Sequence, residues 1–241
     1  MTAKLSVLKP LFRFTLLLMA VFMLSRIGLL LWQQQRLVDG DSLAVLMGGL
    51  RIDLSSLGYL SALAVLMLLA NVFLRSKTTL FQHAFTLYSS LVVTLIVVVE
   101  ASTPEFINQY DVRPNRLFVE YLDYPQEVFS MLLNGHLLAM ISSLIIATLS
   151  CVFTYRFISA AFSKQQNTKK VSQVVILVTT LLVCLISARG TVSHRPLNPA
   201  LVYFSSDSLV NSLALNSTYS VAFAIKNMGN EKNASSLYGT M

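Results

Sequence analysis

Arg26, Arg51, Asp53 and Glu100 stand in or at the ends of long apolar runs of this 241-residue chain. Ionisable groups at such positions are costly unless they pair or face a polar cavity. Arg26 lies about six residues inside its run, roughly 9 Å deep at 1.5 Å per residue. The four side chains fit two readings. One is an Arg–Glu tie between helices, with Arg26 snorkelling to the surface. The other is a site for an anionic headgroup, with Arg26, Arg51, Arg113 and Arg116 as donors. Little else in the chain is suited to chemistry. His83, His136 and His194 are far apart, and no HxxxH or CxxC spacing is present. Cys151 and Cys184 each fall inside an apolar run, as packing or lipid-facing residues. Neither a glycine-rich phosphate loop nor a nucleophile–base–acid set occurs, so no catalytic site and no bound metal are expected here.

Residues in such positions need elements that cross a membrane. The chain is 55% hydrophobic and 12% charged, with a mean hydropathy of +0.66. A soluble domain carries about twice that share of charge. Apolar runs predict an all-α, polytopic membrane protein with five spans at about 11–32, 54–74, 80–100, 137–155 and 171–188. The first run is too long for the core of a cleaved signal and is read as a retained span. SLAVLMGGL at 42–50 is too short to cross, and is expected as a helical piece at the membrane surface before the second span.

Basic residues orient these spans. Lys4, Lys9, Arg13, Arg75, Lys77, Arg156, Lys164, Lys169 and Lys170 share one side with no acid, and all eleven acids lie on the other side or at its edge. The N-terminus is therefore expected in the cytoplasm and the C-terminus outside. Net charge of +7 follows from this asymmetry and calls for no nucleic-acid partner.

The outer side holds the structured connections, at 33–53, 101–136 and 189–241. Within RPNRLFVEYLDYPQEVF (113–129), Leu117, Phe118, Tyr121 and Leu122 form one helical stripe opposite Asn115, Arg116 and Glu120. Pro114 suits the first turn, and Asp123 with Gln126 resembles a capping box ahead of a second helix containing Pro125. Two short amphipathic helices at about 114–133 are expected in the outer interface. They serve as a plain connector or as a collar for headgroups or a partner, with Arg113, Arg116 and Tyr121 as contacts. In the tail, SHRPLNPALVYF reads as extended, Ser208–Met228 as one helix too polar to be a sixth span, and GNEKNASSLYGTM as a linker. The sequons at 216–218 and 233–235 read as coincidental.

Three stretches carry a resemblance: GLRIDLSSLGYL (49–60), EASTPEFINQYDVRPNRLFVEYLDYPQEVFSML (100–132) and RGTVSHRPLNPALVYFSSDSLVNSLALNSTYSVAFAI (189–225). Together with five spans and an outer tail, they resemble the membrane half of the lipoteichoic acid synthase-like phosphoglycerol transferases, in the sulfatase/alkaline-phosphatase superfamily. The wording is closest to Gram-negative members. The resemblance implies a cytoplasmic (inner) membrane protein followed by an extracytoplasmic catalytic domain. That domain would carry a threonine nucleophile and a divalent metal, commonly manganese. The chain ends about where it should begin, so none of the family's catalytic residues can be assigned here.

The expected organisation is a five-span domain at 1–188 and an outer helical linker at 189–241. The expected function is a non-catalytic membrane module that presents a phosphatidylglycerol-like lipid to the catalytic domain. The alternative is a stand-alone interaction or lipid-sensing membrane protein. A small transporter is disfavoured, because the spans show no inverted repeat and no paired Gly- or Pro-broken helices.

Overall fold

The computed structural model describes residues 3–74, 78–162, 169–191 and 197–238, with side chains described from Leu5 to Glu231. Helix α1 is Lys9–Trp32, preceded by a 3₁₀ turn, α2 is Asp41–Phe73 and α3 is Thr78–Tyr110. The short helices α4 (Arg116–Leu122) and α5 (Pro125–Gly135) follow, then α6 (Leu137–Phe162) and α7 (Lys170–Arg189). The tail forms α8 (Ser208–Leu213) and α9 (Ser217–Tyr238). No strand is found among the described residues, and five helices are long and apolar enough to cross a membrane. The chain is an all-α, multi-span membrane protein.

Three expectations are corrected. Residues 42–50 do not form a separate surface piece but belong to the 33-residue helix α2. Helix α3 likewise continues ten residues past Glu100, although Pro104 cannot donate to the Glu100 carbonyl one turn back. The tail helix is broken at 214–216, where Asn216 caps a new start by accepting from the Tyr219 N–H at 2.7 Å. Helix α9 then runs on to Tyr238, through most of the polar GNEKNASSLYGTM segment. Of SHRPLNPALVYF, residues 193–196 lie outside the described residues, as does His194, and Pro199–Val202 forms a 3₁₀ turn.

The helices contribute to two compact units. The first comprises residues 1–24, 51–97 and 146–197. Its core is built from Phe14, Leu18, Phe22, Leu68, Phe85 and Ile96, with Ile158 and Leu177. Phe85 meets Phe14 and Phe162 edge-on, and the Tyr88 hydroxyl donates to the Leu60 carbonyl at 2.8 Å. Lipid tails are as apolar as leucine, so association here rests on close packing and interhelical hydrogen bonds. Helices α2 and α7 approach closely at Gly58, where an added β-carbon would strike the Ala188 and Cys184 backbone of α7. Beside it the Ser55 hydroxyl donates to the Ala188 carbonyl at 2.7 Å. Helix α6 is the least embedded span, with Thr154, Ile158 and Ala161 its buried residues. Arg13 anchors it, stacking over the Phe157 ring and donating to the Phe157 carbonyl at 2.5 Å.

The second unit comprises residues 25–50, 98–145 and 198–241. Leu29, Leu30, Val45 and Ile107 pack with Leu209 and Leu213 of α8. Asp207 caps α8, accepting from the Leu209 and Val210 N–H groups. The Asn211 amide closes the preceding loop by accepting from the Phe204 and Ser205 N–H groups and donating to the Ser205 carbonyl. Helices α4 and α5 match the two amphipathic helices expected from the sequence, and neither contains a buried residue. Asn115 caps α4 through the Leu117 N–H, so Pro114 precedes the helix. Pro125 opens α5 as expected, but Tyr124 holds the cap position without a side-chain bond, and Asp123 ends α4. The expected capping box is not made. Phe106, Tyr110, Phe118 and Tyr121 form a continuous aromatic contact between α4 and the end of α3.

Candidate functional site

The charged residues singled out in the sequence divide between the two units. In the first unit, Arg51 Nε donates to the Gly190 carbonyl at 3.0 Å, and Asp53 is fully buried. In the second, Glu100 and Arg113 form a buried ion pair, Oε2 to Nη1 at 3.3 Å, with their side chains 4% and 1% exposed. Arg113 reaches Glu100 from the turn after α3, so the Arg–Glu tie expected from the sequence is made by Arg113. Arg26 is also fully buried rather than snorkelling, and its guanidinium lies against Gly49.

Glu100 accepts from three donors. Its Oε2 also accepts from the Ser25 hydroxyl of α1 at 2.5 Å, and its Oε1 accepts from the Ser217 N–H at 2.7 Å. Ser217 is the first residue of α9, and its N–H is one of the orphan donors at a helix start. A carboxylate there also meets the positive end of the helix dipole. The Ser217 hydroxyl is shared with Thr103 of α3 at 2.7 Å and lies 3.4 Å from Arg113 Nη1. One carboxylate therefore joins α1, α3, the turn carrying Arg113, and the start of α9. The arrangement fastens these elements to one another, and the carboxylate to which the Ser25 hydroxyl donates is itself paired with Arg113.

Gly49 makes room for Arg26. A β-carbon there would collide with Nε and Cζ of Arg26, a side chain with no exposed surface into which to retreat. Gly49→Val is expected to destabilise the protein by about 1–3 kcal/mol, the usual cost of overpacking. Thermal unfolding in detergent checks this; an unchanged midpoint would mean that Arg26 repacks freely.

Arg116 and Tyr121 take a different position. Both are exposed on α4, and Arg116 is bridged to Glu120 at 2.7 Å and to Glu231 of α9 at 2.8 Å. These carboxylates hold the guanidinium's pKa above its ordinary value, the Glu120 hydrogen bond contributing most. Exposed pairs of this kind add little to stability. Beside them, α9 presents Ser220, Phe223, Asn227 and Met228 to a groove of about 550 Å³ that Asn198 and Tyr203 also line. Arg36 similarly bridges Asp111 at 2.8 Å and Asp207 at 3.8 Å.

Ser25, Thr103 and Ser217 are members of the buried cluster that the sequence did not single out. Hydroxyl residues are unremarkable in a chain rich in serine, and 117 positions separate Ser217 from Glu100. The available signal was Asn216-Ser217-Thr218, a helix-start pattern read only as a sequon. Among the described residues no group of three His, Cys, Asp or Glu side chains could hold a metal ion. No protein-family model matches the chain. No solved structure matches it significantly.

Proposed function

We propose that the chain is the membrane module of a phosphoglycerol transferase-like protein of the bacterial cytoplasmic membrane, holding an extracytoplasmic domain against the lipid surface. The observation that carries the reading is the Glu100 cluster. A buried carboxylate that accepts from three donors fastens the first residue of α9 to α1 and α3. Such a connection serves to fix the direction of a segment leaving the membrane, which a passive anchor does not need. Charge asymmetry supports an outward tail, and the resemblance supplies the partner class: a metal-dependent domain acting on phosphatidylglycerol-like lipid. On this reading the exposed α4 and α5 form the collar beneath that domain, with Arg116 and Tyr121 as its contacts. Arg113 holds the collar's first turn from inside.

Orientation is the first condition of this reading. With Cys151 and Cys184 replaced by alanine, Asn227→Cys is expected to react with a membrane-impermeant maleimide on intact cells, and Gln166→Cys only after lysis. The reverse pattern would place the tail in the cytoplasm and exclude the reading. The alternative, a stand-alone membrane protein binding a partner, shares this orientation and differs in needing no catalytic domain.

A further inference from the structure

We propose that the first unit holds a single lipid acyl chain in the groove formed by the N-terminal part of α1 with α2 and α7. The groove has a volume of about 350 Å³ and is lined by Leu8 and Phe12, Leu57 and Gly58, and Val183 and Cys184, among others. All of its walls belong to helices that cross the membrane. Phe12 and Val183 line it and are also 58% and 57% exposed on the surface that the bilayer covers. The groove is thus continuous with the hydrocarbon-facing surface, and its occupant comes from the bilayer.

Size and polarity narrow that occupant. An apolar cavity of about 150 Å³ accommodates a benzene ring, so this groove admits a flexible chain segment rather than a small ring. A resident water needs about two to four polar partners. Of the four hydroxyls that line the groove, those of Thr15 and Thr180 already donate to the Phe12 and Ile176 carbonyls of their own helices, which leaves Ser61 and Ser187 in an otherwise apolar lining. Water is therefore poorly held and hydrocarbon is well held. Leaving the groove empty would forfeit dispersion contacts along its walls. A chain bound here is touched by three helices, whereas a chain on the outer surface touches one or two. It should consequently leave more slowly than its neighbours.

The test uses the full chain in nanodiscs of 1-palmitoyl-2-oleoyl-phosphatidylcholine, transferred to a mild detergent for native mass spectrometry. The wild type is expected to retain one lipid per chain after the surrounding lipids are stripped. Val183→Trp, filling the groove from its rim, and Thr180→Leu, filling it from its wall, are expected to lower that retained fraction at least tenfold. Leu182→Trp adds the same bulk at an exposed position outside the lining and should retain the lipid. Absence of a retained lipid in the wild type would overturn the proposal. So would retention by either groove-filling variant at the wild-type level, or equal loss in Leu182→Trp.

Discussion

Glu100→Ala is expected to destabilise the protein by about 3–5 kcal/mol, the cost of removing one partner from a buried charge pair. The substitution leaves the Arg113 guanidinium in a nearly sealed position without its carboxylate. It also strips the acceptor from the Ser25 hydroxyl and from the N–H that begins α9. A lower unfolding temperature in detergent, with faster protease cleavage between α8 and α9, is the expected result. Glu100→Gln keeps an oxygen acceptor but not the charge, so its loss should be smaller. Replacing both partners, Glu100→Leu with Arg113→Met, should recover much of the stability, because an apolar pair removes two desolvation penalties together. If Glu100→Ala unfolded at the wild-type temperature, the carboxylate would not be a structural centre of this unit.

Gly58→Leu should be equally damaging for a different reason. Overpacking costs about 1–3 kcal/mol where side chains can give way. At Gly58 the obstacle is the backbone of α7 at Cys184 and Ala188, which can yield only if the helices separate. Separation would lengthen the Ser55 bond to the Ala188 carbonyl and the Arg51 bond to the Gly190 carbonyl. The expected loss lies at or beyond the upper end of that range. Reduced yield of folded protein and a lowered unfolding midpoint would register it. Wild-type behaviour of Gly58→Leu would show that the α2–α7 crossing is loose.

Much of this architecture was legible in the sequence because each span carries its own signal. An apolar run of membrane length declares a helix whatever surrounds it. The stripe of Leu117, Phe118 and Tyr121 likewise declared α4, and Pro125 the first turn of α5. Failures came where tertiary contact decides. Gly48-Gly49 looked like an interruption, yet α2 passes through it because the absent side chain at Gly49 makes room for Arg26. The third span was expected to end at Glu100, yet α3 continues to Tyr110, where aromatic contacts with α4 hold it.

The candidate site was half legible. Glu100 and Arg113 stood out as charged residues, but the pairing expected for Glu100 is instead made by Arg113; the hydroxyls of Ser25 and Thr103 gave no signal, and that of Ser217 gave one only through the helix-start pattern at 216–218. Pairing between residues 100 and 217 is a property of the folded chain. Hydrophobic periodicity specifies which face of a helix is buried, but not which distant polar group that face will meet.

Transfer of glycerol phosphate from labelled phosphatidylglycerol, in cells expressing this chain with a separately encoded catalytic domain of a lipoteichoic acid synthase-like relative, tests the central claim most directly. The catalytic domain alone is the control, and the Glu100→Gln chain, checked for membrane insertion, is the second arm. Transfer is expected to rise well above the control with the wild-type chain and to fall several-fold with Glu100→Gln. Transfer equal to that of the catalytic domain alone would contradict the account and leave a membrane protein whose partner is of another kind.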